Sequence, residues 1–198
     1  EVMGFMTFLH GDMRFYNNIF VQQPVLPALA LAMGVAKEHY NEWDDMNVEV
    51  GTHPYNGYPT FAEWDKEFEG YCGMGSAPSD RYYMHLPVWA QGNVYFGGAK
   101  AWDKEEAPQI VPDQVKLELK GQDGKYTLET NLFDLLPKTQ APAVSTELLG
   151  AAFEPEEKFE NPDGTPILFN QDYFGRHRAV HPMPGPFESS AELQEALF

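Results

Sequence analysis

The stretch HGDMRFYNNIF, from His10 to Phe20, alternates through its centre. On an extended strand Met13, Phe15, Asn17 and Ile19 share one face, and Asp12, Arg14, Tyr16 and Asn18 share the other. His10 is in phase with the polar face. A carboxylate, a guanidinium and a phenol in a row give that face chemistry to present. The asparagine on the apolar face needs a hydrogen-bond partner if it is buried. A neighbouring strand of the same kind would supply one.

Such a strand lies further along. RFYNNIFV (Arg14–Val21) and AQGNVYFGG (Ala90–Gly98) both carry Asn, then Ile or Val, then an aromatic residue. Asn18 matches Asn93, Ile19 matches Val94, and Phe20 matches Tyr95. A short strand repeated with asparagine at a fixed place is the sequence pattern of a parallel β-helix, where amides stack from rung to rung.

Around these two strands the chain alternates between order and turn. Strand signal runs from Val2 to Val21, and residues 22–86 read as a long insertion rich in Pro, Gly and turn residues (GTHPYNGYPT, GYCGMGSAPSD). Two short helices are expected inside it. One is PALALAMGVAKEHYNEW, with proline at its start. The other is TFAEWDKEFEGY, with Thr60 and Glu63 spaced as a capping box. LPVWAQGNVYFGGA returns to strand. VKLELKGQDGKYTLETNLF, within 112–133, reads as a β-hairpin turning at Asp123-Gly124. Residues 137–198 read as a loop-rich cap ending in a short helix, SSAELQEALF.

Composition narrows the partners. A formal charge of −17 argues against nucleic acid and anionic membranes. No apolar run reaches the roughly 20 residues of a membrane span. Aromatic residues make up 14% of the chain, a surplus that suits either stacking on sugar rings or a large aromatic core. Cys72 is the single cysteine, so an internal disulfide is excluded. With no signal peptide in view, a cytoplasmic location is expected. The chain opens at Glu1, already in strand-like sequence, and is read as part of a longer polypeptide. The histidines have no zinc-site spacing, and YNEWDDMNVE lacks the glycine-punctuated alternation of a hard-cation loop. Neither a metal nor an organic cofactor is expected.

HGDMRFYNNIFV, LPVWAQGNVYFGGAK, STELLGAAFEPEEKFENPDGTPI and NQDYFGRHRAVHPMPGPFE resemble the β-xylosidases of glycoside hydrolase family 120. The resemblance runs from about His10 to Glu188 and is poorest across Gln22–Tyr83. It implies a mainly β fold: rungs of a right-handed parallel β-helix with long loop and short-helix insertions, as the C-terminal part of a larger enzyme. It implies a retaining hydrolase that releases xylose from the non-reducing ends of xylo-oligosaccharides. Asp12 matches the position of the family's nucleophile, and Arg14 beside it would keep that carboxylate ionised. The family's acid/base is a glutamate shortly after that strand, where this chain offers Glu42 and Glu38. Glu42 is preferred because the neighbouring Trp43 would raise its pKa by desolvation. His10, Arg14 and Trp43 are the expected sugar contacts, with His53, Trp64 and Trp89 as weaker candidates. Expected partners are an oligosaccharide and the amino-terminal part of the same enzyme as a separate chain, a further copy of this chain, or both. The competing reading is a non-catalytic β-helix cap or oligomerisation part of a carbohydrate-active enzyme. A lyase on the same fold would want a basic catalytic residue and clustered calcium ligands, which this stretch lacks.

Overall fold

The structure, a computed structural model, describes residues 10–23, 28, 50–69, 85–138, 142–153 and 155–189. Glu38, Glu42 and Trp43 lie outside these residues, as do the expected strand before His10, the first expected helix and nearly all of the C-terminal helix. Among the described residues the fold is mainly strand, with few and short helices, and no helix is long and apolar enough to cross a membrane.

The opening stretch forms two short strands, β1 (Met13–Tyr16) and β2 (Ile19–Val21). The repeat forms β3 (Val88–Gln91) and β4 (Val94–Phe96). β1 pairs in parallel with β3, Met13 opposite Val88, and β2 pairs in parallel with β4, Ile19 opposite Val94. A further strand, β5 (Gln109–Val111), pairs in parallel with β4. The same chain path is therefore traced three times, and the corner between the strands is stacked. Asn17, Gly92 and Ala107 all have left-handed backbone, with φ of 55°, 66° and 52°. Main-chain bonds tie the layers on either side of that turn: Val94 N–H to Asn18 O (2.9 Å), Gln109 N–H to Asn93 O (2.9 Å) and Gly92 N–H to Glu106 O (3.0 Å).

The corner changes which residues share a face. The continuous alternation expected through Asn17 fails because its left-handed backbone breaks the strand and resets the phase. Met13 and Phe15 do share an interior face, packing on Val88, Ala90 and Trp102. Ile19 and Val21 instead join Val94 and Phe96 in a separate cluster with Val115 and Leu132. Phe20 is the residue on Phe15's side, 6.4 Å from it and stacked 5.1 Å from Tyr95. The middle sheet is thus covered on both faces, so Val94, Tyr95 and Phe96 are all 0% exposed. Asn17 does not stack in the interior either; its side chain donates to Pro142 O.

The stacking asparagines are Asn18 and Asn93. Asn93 Oδ1 accepts from the main-chain N–H and the Nδ2 of Asn18, both at 2.9 Å. Asn93 Nδ2 donates to Phe15 O and to Glu105 Oε1, both at 2.8 Å. The third layer has Pro108 at this place and can offer no amide. Glu105 closes the ladder instead, accepting from Asn93 N–H as well (3.1 Å).

The connecting segments follow the sequence signals. Helix α1 (Phe61–Phe68) starts at Thr60 with both halves of the capping box formed. The antiparallel hairpin β6 (Leu117–Gln122) and β7 (Lys125–Thr130) turns at Asp123-Gly124, where both residues have positive φ. Two single-turn helices follow, α2 (Leu132–Leu135) and α3 (Thr146–Leu149). Beyond α3 the described chain is held by isolated antiparallel bridges such as Ser145–Leu168 and Gln171–His177.

Asn93 has no exposed surface. Its replacement by alanine would remove its bonds to Phe15 O, the Asn18 amide and Glu105 from inside the fold. Asn93→Ala is expected to lose about 3 kcal/mol of stability, read as a lower denaturant midpoint with little change in slope.

Candidate functional site

Asp12 sits at the entry to β1. Gly11 precedes it with φ of 135°, and a Cβ there would lie 2.2 Å from Leu86 O. Only glycine fits, because the chain at 10–12 runs directly against Leu86 and Pro87, with Asp12 N–H donating to Pro87 O at 2.7 Å. Asp12 itself is left-handed, φ 55°. The tight approach fixes where the Asp12 carboxylate leaves the backbone.

That carboxylate is held at both oxygens. Oδ1 pairs with Arg14 Nη1 at 2.6 Å, and Oδ2 accepts from the main-chain N–H of Phe153 at 2.9 Å. The Arg14 guanidinium spends its fork widely. Nη1 also donates to Asp12 O (3.0 Å), Nε to Leu149 O (2.6 Å) and Nη2 to Ala151 O (2.6 Å). Its plane lies between two rings, 4.2 Å from the centre of Trp89 and 4.6 Å from that of Phe159. The Arg14 side chain is 6% exposed and that of Asp12 22%. A guanidinium this well surrounded is a fixed positive charge, and it holds the Asp12 carboxylate in one place. A carboxylate has about four lone-pair positions, so two firm hydrogen bonds leave it capacity to accept or attack.

Aromatic rings enclose the pair. Phe61 of α1 stacks 6.4 Å from Trp89, and Trp64, one turn on, meets Phe153 edge-on at 4.5 Å. The capping box matters here, because it sets where α1 begins and so where these two rings land. Lys104 adds a tie, with Nζ at 2.9 Å from both Glu63 Oε2 and Tyr58 O. His10 is exposed, and its main-chain oxygen accepts from Leu86 N–H at 2.9 Å. Asp12, Arg14, Trp64 and Trp89 therefore converge. His53 lies elsewhere, in a single 3-10 turn, with its Nδ1 3.2 Å from Asn56 Nδ2.

The sequence reading missed two contributors. The first is the segment 149–153, whose carbonyls and amide receive Arg14 and Asp12; main-chain partners leave no residue signature, and the left-handed Gly150 (φ 71°) is the local sign of its bend. The second is Glu105. Its Oε2 accepts from Tyr95 Oη in a short bond and lies 3.4 Å from Thr52 Oγ1, while Oε1 takes the two Asn93 donors. Burial pushes the Glu105 carboxyl above the ordinary carboxylate range, in spite of these donors. Burial, then the Glu105 bond, also pushes the Tyr95 phenol up. Glu105 closes the corner ladder from within the fold.

No family model matches the sequence, and no curated protein matches it. Among solved structures, one described as the complex structure of XylC with xylose is similar. Its TM-score is 0.67 at 23% sequence identity, over 90% of this chain and 24% of that one. The likeness shows a shared fold, and this chain spans about a quarter of that protein's length.

The raised Glu105 pKa sets a pH dependence. The folded state holds this proton more tightly than the unfolded state. Its contribution is therefore complete below the unfolded value of 4.5 and is lost as pH rises through the higher folded value. Glu105→Gln cannot ionise and keeps that contribution at every pH. The difference in thermal midpoint, variant minus wild type, is expected to grow in the variant's favour from about pH 4.5 to 7.5. A difference that stays flat across those buffers would rule out ionisation of Glu105 as its cause.

Proposed function

We propose that this chain is the C-terminal catalytic part of a retaining glycoside hydrolase that releases xylose from the non-reducing ends of xylo-oligosaccharides. The observation that carries the reading is the Asp12–Arg14 pair, an aspartate at the entry to a stacked strand with a guanidinium fixed beside it. The likeness to XylC, a protein whose structure was solved with xylose, supports the choice of sugar. The parallel strand layers and the asparagine ladder support a right-handed parallel β-helix as the architecture.

In this mechanism Asp12 attacks the anomeric carbon and forms a covalent xylosyl ester, which water then hydrolyses. Arg14 pairs with the attacking carboxylate and aims it. Glu42, or Glu38 four residues before it, gives its proton to the leaving oxygen and then takes one from the attacking water. His10 and Trp43 contact the sugar. The amino-terminal part of the enzyme completes the stack, as a separate chain or by assembly of copies.

One observation favours a second reading. Both Asp12 oxygens are already bonded, so Asp12 and Arg14 also make sense as a clamp that pins 149–153 to β1 in a non-catalytic cap. The two readings separate on one substitution. Asp12→Asn keeps the shape and an acceptor for Arg14 but removes the nucleophilic charge. In the assembled enzyme it is expected to lower xylobiose hydrolysis by a factor of about 1,000 or more. Retained hydrolysis would leave the cap reading. Glu42→Gln should impair xylobiose far more than an aryl xyloside, whose leaving group needs little protonation.

A further inference from the structure

A cleft of about 600 Å³ opens beside Arg14. One wall is the corner of the first strand layer, with Tyr16, Asn17 and Asn18. The other is the C-terminal segment, with Phe169, Gln171 and Tyr173. Neither the xylosidase mechanism nor the clamp reading uses this cleft.

The walls are joined by specific bonds. Gly185 N–H donates to Asn17 O at 2.8 Å, and Asn17 Nδ2 donates to Pro142 O at 2.7 Å. Phe169 N–H donates to Val144 O and Tyr173 N–H to Pro186 O, both at 2.8 Å. Gly185 has φ of 81°, and a Cβ there would sit 2.7 Å from Ile19 Cδ1. Glycine is required for the C-terminal segment to come this close to β2. The cleft is thus a product of long-range docking at the corner.

Its chemistry is mixed in the way a sugar site is. Phe169 is 57% exposed, and Tyr173, 50% exposed, is braced edge-on by Phe174 and Phe187. Flat rings of this kind bind the apolar faces of pyranoses, and the amides of Asn17, Asn18 and Gln171 supply donors and acceptors for hydroxyls. Two cations line the cleft, but both are already neutralised. Arg14 pairs with Asp12 and Arg178 with Glu188. A protein of net charge −17 with no spare cation in the cleft selects a neutral ligand.

We infer that this cleft is a carbohydrate subsite that holds a neutral pyranose unit of an oligosaccharide, stacked on Phe169 and Tyr173. The choice of xylose units as the sugar rests on the glycosidase reading above; the cleft itself does not. Arg14 belongs to both places, so a chain of sugars in the cleft runs toward Asp12, and the site contributes to substrates longer than a single residue.

The test is calorimetric titration of the full chain with a thio-linked xylotriose, which cannot be hydrolysed. Wild type is expected to bind, and Phe169→Ala to bind about tenfold more weakly. Phe169→Leu keeps the apolar volume without the flat face and should lose most of the same affinity. Unchanged thermal midpoints would show that both variants fold. Equal affinity in wild type and both variants, or no binding by any of them, would overturn the subsite. Tighter binding of a uronate-bearing xylotriose, independent of Phe169, would overturn its neutral character. Asp12→Asn separates this result from the mechanism. Its failure to lower hydrolysis in the assembled enzyme would strike the nucleophile, while Phe169-dependent binding by the wild type would leave the cleft standing.

Discussion

The corner at Asn17–Asn18 is the constraint on which the rest of the structure depends. A strand that continued straight through it would place Phe15 and Ile19 on one face and leave a single apolar side. The left-handed turn makes two sheets out of one stretch and gives each its own core. Stacking that turn on Gly92 and Ala107 repeats the break in three layers. Left-handed backbone costs an ordinary residue about 1–2 kcal/mol. Glycine avoids that cost in the second layer, and asparagine tolerates it in the first. Alanine does neither in the third, so the layer is held there by its neighbours, through Gly92 N–H on Glu106 O and Gln109 N–H on Asn93 O.

The amide ladder then explains an otherwise odd buried acid. A stack of asparagines needs something at its end to accept the last donors. With Pro108 in the third layer, the carboxylate of Glu105 takes that place, and Tyr95 and Thr52 complete its hydrogen bonding. The carboxyl is desolvated yet well supplied with donors. Burial and hydrogen bonding pull its pKa in opposite directions, and burial prevails. The contribution of this polar corner to stability therefore varies with pH.

Much of this was legible in sequence where a local rule applied. The Asn-(Ile/Val)-aromatic echo located the paired strands, and Asn18 and Asn93 do bond to each other. The Thr60–Glu63 box and the Asp123-Gly124 turn read correctly because both are short-range chemistry. The phase past Tyr16 did not read, since alternation assumes an unbroken strand and asparagine gives no sure sign of left-handed backbone. β5 escaped because three residues of QIV carry too little period to stand out. At the site, Asp12 and Arg14 were visible as side chains. Their partners, Leu149 O, Ala151 O and Phe153 N–H, are main-chain atoms that any residue would carry.

The distribution of burial bears on how Asp12 can be both ordered and available. Val88, Val94, Tyr95 and Phe96 of the second layer are at most 1% exposed, while every described residue from Gly11 to Gln22 is only half-buried. β1 and β2 are held on one side by parallel pairing with β3 and β4. A second hold comes from Leu149, Ala151, Phe153 and Phe159. They surround Arg14 with two carbonyls and a ring and give Asp12 an amide. Taking a guanidinium this far out of water without partners would cost several kcal/mol, so segment and pair must form together. A carboxylate at the entry to a half-buried strand is thereby fixed from outside the sheet.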